Sequence, residues 1–298
     1  MGLRLLPGIA LIAVLFATGA LDISALAAVA RQPLLAAGAV VVLFLTLPVA
    51  ALRWQLLLRA QRIALAPVAT FRLVLGTTFY GTLLPGVVGG DVLRTALTIR
   101  AAREHKAAAL LSIVLDRALG LAGLLLVAIG LALIHPSALS RLIGATALAI
   151  GGVLLALTFA AHRIAPLARG RGRIATGTRE MAAALRLWRA APAAIVTGLA
   201  LSMVVAGLDL AGLLLIARAA GLAQPTGIEQ ALAGTLALLA NSLPLTPGGL
   251  GVGEAAYAHA VALLDGAASG APHASAFLAY RCATILSTLP GALAKLKT

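Results

Sequence analysis

The chain has 298 residues, of which 61% are hydrophobic and only 11% charged, with a formal net charge of +14. A soluble domain is nearer half apolar and a quarter charged, so a soluble globular protein is excluded. Repeated apolar runs of about 20 residues match the hydrocarbon core of a bilayer. They are continuous and rich in Leu and Ala, which excludes the alternating strands of a membrane barrel and leaves a polytopic all-α protein.

The first run, about 3–21, has no clear small-residue cleavage site after its apolar stretch, so it is read as a span rather than a removed signal peptide. Further full spans are expected at about 34–52, 107–134, 141–161, 193–217 and 272–294. Basic residues flank them unevenly. Arg53, Arg59 and Arg62 follow the second span, and Arg94, Arg100, Arg103 and Lys106 precede the third. Seven arginines fill the loop 162–192, and Lys295 and Lys297 end the chain. By the positive-inside rule both termini are cytoplasmic and the first span runs outward. The stretch 179–190 in that basic loop reads as a surface helix able to touch anionic lipid or dock a soluble enzyme.

Two segments, 68–106 and 228–266, are interrupted near their middles. "LPGVVGGDVLR" (84–94) breaks the first and "LPLTPGGLGVGE" (243–254) the second. The first segment lies between two basic stretches, so a single crossing would violate the charge rule. A re-entrant helical hairpin resolves this, as would two full spans, giving six spans plus two hairpins, or eight or more spans. Irregular backbone at membrane depth is tolerated only within protein or beside a cavity, which favours the hairpins.

Aligned on proline, the elements share L-P-x-x-x-G-G: Pro85, Gly89 and Gly90 in one, Pro244, Gly248 and Gly249 in the other, with Pro247 added in the second. Each has an acid after it (Asp91, Glu254) and an arginine inside the following span (Arg117, Arg281). Within one transmembrane domain, 1–298, the repeat units run from about 68 to 134 and from 228 to 294, in opposite orientations. Paired interruptions in two inverted halves point to a transporter's binding site.

The candidate binding or gating residues are Asp91, Arg94, Asp116, Arg117, Asn241, Glu254 and Arg281. A charge at mid-membrane needs a partner or a wet cavity. Arg117 is given Asp91 or Glu254 as an ion-pair partner, and Asp116, about 100° round the helix from it, a different one. Asp91 suits a helix N-cap, and Arg94, one turn on, would meet an anion there. Asn241 offers hydrogen bonds to a headgroup. Asp209 lies deep in the fifth span with no evident local partner, and tertiary pairing or protonation are both open. Single Cys282 excludes an intramolecular disulfide. His259 does not share a helix face with Glu254, and the other histidines sit near span ends, where solvated positions are the default. No catalytic residue, metal site, cofactor or nucleic-acid partner is expected.

"GTLLPGVVGGDVLR" followed by "VLDRALGL", and "NSLPLTPGGLGVGEAAY" followed by "AYR", resemble the lysylphosphatidylglycerol synthase transmembrane-region family, also called flippase-like integral membrane proteins. In its fused members this region joins a soluble aminoacyl transferase and is thought to move aminoacylated phospholipid between leaflets. Stand-alone members belong to lipid and envelope pathways, hopanoid-associated ones among them. This sequence carries no such soluble domain, so the resemblance implies translocation of a phospholipid or other polar-headgroup or isoprenoid lipid, not synthesis. The expected partners are membrane lipids with an anionic or phosphate headgroup, and a lipid-synthesis enzyme is an added candidate. The alternative is a non-catalytic membrane partner or an integral transferase in such a pathway, though no nucleophile–base pair supports catalysis.

Overall fold

The computed structural model describes residues 23–83, 89–101, 106–137, 139–149, 151–152, 191–222, 226–242, 250–265 and 271–294. Among these residues all regular structure is helical: α1 (Ile23–Arg31), α2 (Pro33–Ala60), α3 (Pro67–Leu83), α4 (Gly89–Ala101) and α5 (Lys106–Ile134). Then follow α6 (Leu139–Ala149), α7 (Pro192–Ala219), α8 (Gly227–Ser242), α9 (Val252–Asp265), α10 (Ala271–Thr288) and a 3-10 turn, Leu289–Leu293. The protein is a polytopic all-α membrane protein. Four helices are long and apolar enough to cross a bilayer: α2, α5, α7 and α10 with its 3-10 extension. The expected span 3–21 and the surface helix 179–190 lie outside the described residues. Of 141–161, α6 covers the beginning and the rest lies outside them.

The start and stop signals are local. Pro33 and Pro192 occupy the first turns of α2 and α7, where a missing N–H costs nothing. Gly221, at φ 77, ends α7 by turning the chain so that Leu222 N–H reaches the Ala217 carbonyl. Side chains such as Val41, Leu45, Val114, Leu126, Val196 and Val204 are exposed, and these apolar outer surfaces suit lipid.

Small residues set the helix directions. Between α2 and α7, Gly212 meets Leu43 while Ser202 meets Arg53, so the two run antiparallel. Between α5 and α7, Gly198 meets Leu119 and Gly123 meets Ser202, so these run parallel. A Cβ on Gly123 would stand 2.4 Å from the Ser202 Cβ; only glycine lets the backbones come so close.

Each interrupted segment folds as a helical hairpin. In the first, α3 packs on α4, and a Cβ on Gly90 would lie 2.7 Å from the Thr77 carbonyl oxygen. In the second, α8 packs on α9. The described parts of the arms have 17, 13, 16 and 14 residues. The first hairpin leaves and rejoins the bundle where α2 ends and α5 begins; there the Gln55 side-chain amide donates to the Leu65 carbonyl at 2.7 Å. The second starts where α7 ends, and His135 just past α5 lies 3.5 Å from Glu229 in its first turn. The first arms, α3 and α8, therefore start at opposite ends of the bundle.

The second span continues beyond its expected end at residue 52, through Ala60. Trp54, Leu57 and Leu58 keep the helix face apolar and fully buried, and Arg53 is only 7% exposed because an acid meets it inside the bundle. Arg53 is thus an interior residue rather than a flanking topology charge.

Candidate functional site

Two clusters of buried charge join each hairpin to the span that follows it. In the first, Asp116 of α5 accepts from Arg53 Nε of α2 at 2.8 Å and from Arg94 Nη1 of α4 at 3.2 Å. Arg53 also donates from Nη1 to the Ser202 hydroxyl of α7 at 2.9 Å. The Arg94 guanidinium lies over the Trp54 ring, 3.8 Å from its centroid, and the Trp54 indole N–H donates to the Ser112 hydroxyl at 3.3 Å. Gly120 supplies the room for Arg53, since a Cβ there would stand 3.4 Å from Nη1. Two guanidinium groups on one carboxylate leave this cluster with an excess positive charge.

In the second cluster Glu254 of α9, fully buried, pairs with Arg281 of α10, whose Nε lies 3.0 Å from Oε1 and whose Nη2 donates to Oε2 at 3.4 Å and to the Asn241 side-chain oxygen of α8 at 2.9 Å. The residues before Glu254 shape this contact. Gly251 takes φ 81 just ahead of α9, and a Cβ on Gly253 would stand 2.4 Å from the Phe277 ring. Without that side chain α9 settles against α10 at the level of the ion pair. Tyr257, one turn on, is buried against Phe277 and His273, with ring centroids 5.7 and 6.0 Å away.

The two clusters are related by a reversal of sign. In the first, the second hairpin arm carries the cation (Arg94) and the following span the anion (Asp116). In the second, the arm carries the anion (Glu254) and the span the cation (Arg281). Ser202 and Asp209 mark their levels on α7, seven residues or about 10 Å apart. Asp209 of α7 lies near Tyr280 of α10.

Of the residues singled out in the sequence, Arg94 and Asp116 meet in one cluster, and Asn241, Glu254 and Arg281 in the other. Of the two partners expected for Arg117, Asp91 has its side chain outside the described residues, and Glu254 is corrected. Glu254 is bound by Arg281, and Arg117 lies on the exposed face of α5, because the 100° step that turns Asp116 inward turns its neighbour out. Pro85, Pro244, Pro247, Gly248 and Gly249 lie outside the described residues, as does the side chain of Asp91. Gly89 and Gly90 begin α4, so Asp91 stands within its first turn and not at the N-cap expected of it. One further correction concerns a histidine: His273 is buried, whereas His135, just past the end of α5, is partly exposed near Glu229.

Arg53, Trp54 and Ser202 are site residues that sequence reasoning missed. Their signal was faint. "RWQLL" continues the helical spacing of the span before it, but an arginine beside a span end also satisfies the charge rule, which absorbed it.

No curated protein and no solved structure matches the chain. The model of one family, described as the lysylphosphatidylglycerol synthase TM region, matches residues 5–291, nearly the whole length, and the chain belongs to that family.

Proposed function

We propose that the protein is a bacterial inner-membrane lipid translocase, with both termini cytoplasmic, that carries a lipid with an anionic or phosphate headgroup between leaflets. The reading rests chiefly on the sign-reversed ion pairs, each tying a hairpin to its following span, one from either end of the bundle. On this reading the arms are re-entrant, and the units 68–134 and 228–294 form an inverted pair around one pathway.

A headgroup phosphate competes with Asp116 for Arg53 and Arg94, which present donors suited to two oxygens at once. Exchange of one anion for another leaves neither arginine uncompensated in low dielectric, so the barrier stays modest. Once Arg94 binds the phosphate, the hold of α5 on the first hairpin is released. Arg281 takes the headgroup next, in exchange for Glu254, and the second hairpin is released in turn. Arg117, on the outer face of α5, meets the phosphate near the lipid boundary while the acyl chains remain in the bilayer. The glycines of both breaks let backbone approach the headgroup.

The test is a leaflet assay in proteoliposomes with acyl-labelled phosphatidylglycerol and an impermeant quencher. Purified protein should make the inner-leaflet probe accessible, and Arg94→Ala or Arg281→Ala should slow this at least tenfold. Protein-free rates with correctly inserted protein would defeat the proposal. A co-purifying lipid enzyme that loses activity without the protein would then favour a partner role.

A further inference from the structure

Each arginine of the two buried clusters has a second partner that carries no charge. Arg53 donates to the Ser202 hydroxyl at 2.9 Å, Arg281 donates to the Asn241 side-chain oxygen at 2.9 Å, and Arg94 lies over the Trp54 ring, 3.8 Å from its centroid. The third contact differs in kind. A hydroxyl or amide oxygen occupies an N–H at the guanidinium edge, whereas a ring meets the face and uses none of the donors. Asp116 meets the edge of Arg94, accepting from Nη1 at 3.2 Å. Face and edge are thus held by different groups.

The ring is itself fixed. Trp54 is fully buried on α2, and its indole N–H donates to the Ser112 hydroxyl at 3.3 Å. Ser112, also fully buried, donates in turn to the Ala109 carbonyl at 2.7 Å, which leaves its oxygen lone pairs for the indole. Ser112 and Asp116 stand one turn apart on α5, so one face of that helix sets both the ring and the carboxylate. Arg94 comes to this frame from the second arm of the first hairpin.

Resting on the translocase reading, we propose that Trp54 is a positioning residue: its ring holds the Arg94 guanidinium by the face while the edge passes from the Asp116 carboxylate to a headgroup phosphate. Midway through that exchange neither anion is fully bound. The ring attracts the guanidinium electrostatically, so it helps most at that moment, when the positive charge is least offset. An interaction stronger in the passing state than in either resting state raises the rate and leaves the apparent affinity for lipid nearly unchanged. Trp54 acts through Arg94 and needs no contact with the lipid itself.

The experiment is the leaflet assay with acyl-labelled phosphatidylglycerol, repeated over a range of phosphatidylglycerol fractions in digalactosyldiacylglycerol, an uncharged lipid without phosphate. Trp54→Leu should lower the maximal rate about tenfold, within the range of one desolvated cation–π contact. The half-saturating fraction should move less than about twofold. Trp54→Phe, which keeps an aromatic face, should stay within about threefold of wild type. Both replacements leave a gap in the core, so equal slowing of the two overturns the inference. An unchanged rate in Trp54→Leu overturns it too, as does a loss that lies wholly in half-saturation. Those outcomes leave translocation standing, whereas wild-type protein that moves no probe overturns both readings. Should Trp54→Leu fail to insert, Ser112→Ala decides instead: it frees the indole and should lower the maximal rate about threefold, and a wild-type rate overturns the inference.

Discussion

Glu254 and Arg281 are each buried against the other, so removing either one strands a charge in low dielectric. Arg281→Ala or Glu254→Ala should each cost about 3–5 kcal/mol of stability. The double replacement Glu254→Leu with Arg281→Met should recover much of that loss, since no orphaned charge remains. Thermal unfolding in detergent measures both. The same double variant separates structure from function: if the pair gates a headgroup, stability returns and lipid movement does not. Full recovery of movement would show that the pair serves only as an internal brace. Asp116 differs, because it answers two arginines. Asp116→Ala should destabilise more than Ser202→Ala, which removes one neutral acceptor at a typical 1–3 kcal/mol.

At the scale of elements, glycine positions decide which helices meet. On α5, Gly123 faces Ser202 of α7 while Gly130 has no atom within 4 Å of a built Cβ. Gly123→Ala should therefore push α5 from α7 and cost about 1–3 kcal/mol by overpacking. Gly130→Ala on the same helix should be neutral or stabilising, by up to about 1 kcal/mol, through helix propensity alone. Similar losses at both sites, measured by unfolding, would contradict the close α5–α7 contact. In the first hairpin, Gly90→Val should separate α3 from α4, since the Thr77 carbonyl is backbone and cannot swing aside. That hairpin should then show faster amide exchange in α4 than in α5.

For the whole molecule, parallel α5 and α7 with α2 opposed place the end of α2 and the start of α5 at one face. Single cysteines at Arg62 and Lys106, in a Cys282→Ser background, should label with an impermeant maleimide from one side of the membrane. Cysteines at Gly221 and Pro136 should label from the other. Labelling of all four from one side would defeat the arrangement. The far end also carries a pH-sensitive tie. A hydrogen bond from the Thr226 hydroxyl, helped by the Thr226 N–H and nearby His135 and opposed by burial, holds the Glu229 carboxyl below the usual carboxylate range. A folded pKa lower than the unfolded one stabilises above the unfolded value and loses that contribution as pH falls through the folded one. The start of α8 should thus loosen in mild acid, seen as faster amide exchange near Thr226, and Glu229→Gln should remove the pH dependence.

The amino-acid sequence by itself determined the solvent this protein folds in. Runs of Leu and Ala as long as a bilayer is thick leave helices as the only way to satisfy the backbone, and the breaks at 84–94 and 243–254 stood out because that rule is strict. It also marked Asp116, Glu254 and Arg281, since intramembrane charge is rare enough to be read without coordinates. Which charge meets which was not legible. Asp116 and Arg117 are neighbours in the chain yet lie on different faces of α5, and Arg53 reaches Asp116 across 63 positions. Local pattern carries no information about contacts of that separation. Only the tertiary structure, through glycine contacts that fix how α2, α5 and α7 lie together, decided that the two pairs carry opposite sign order.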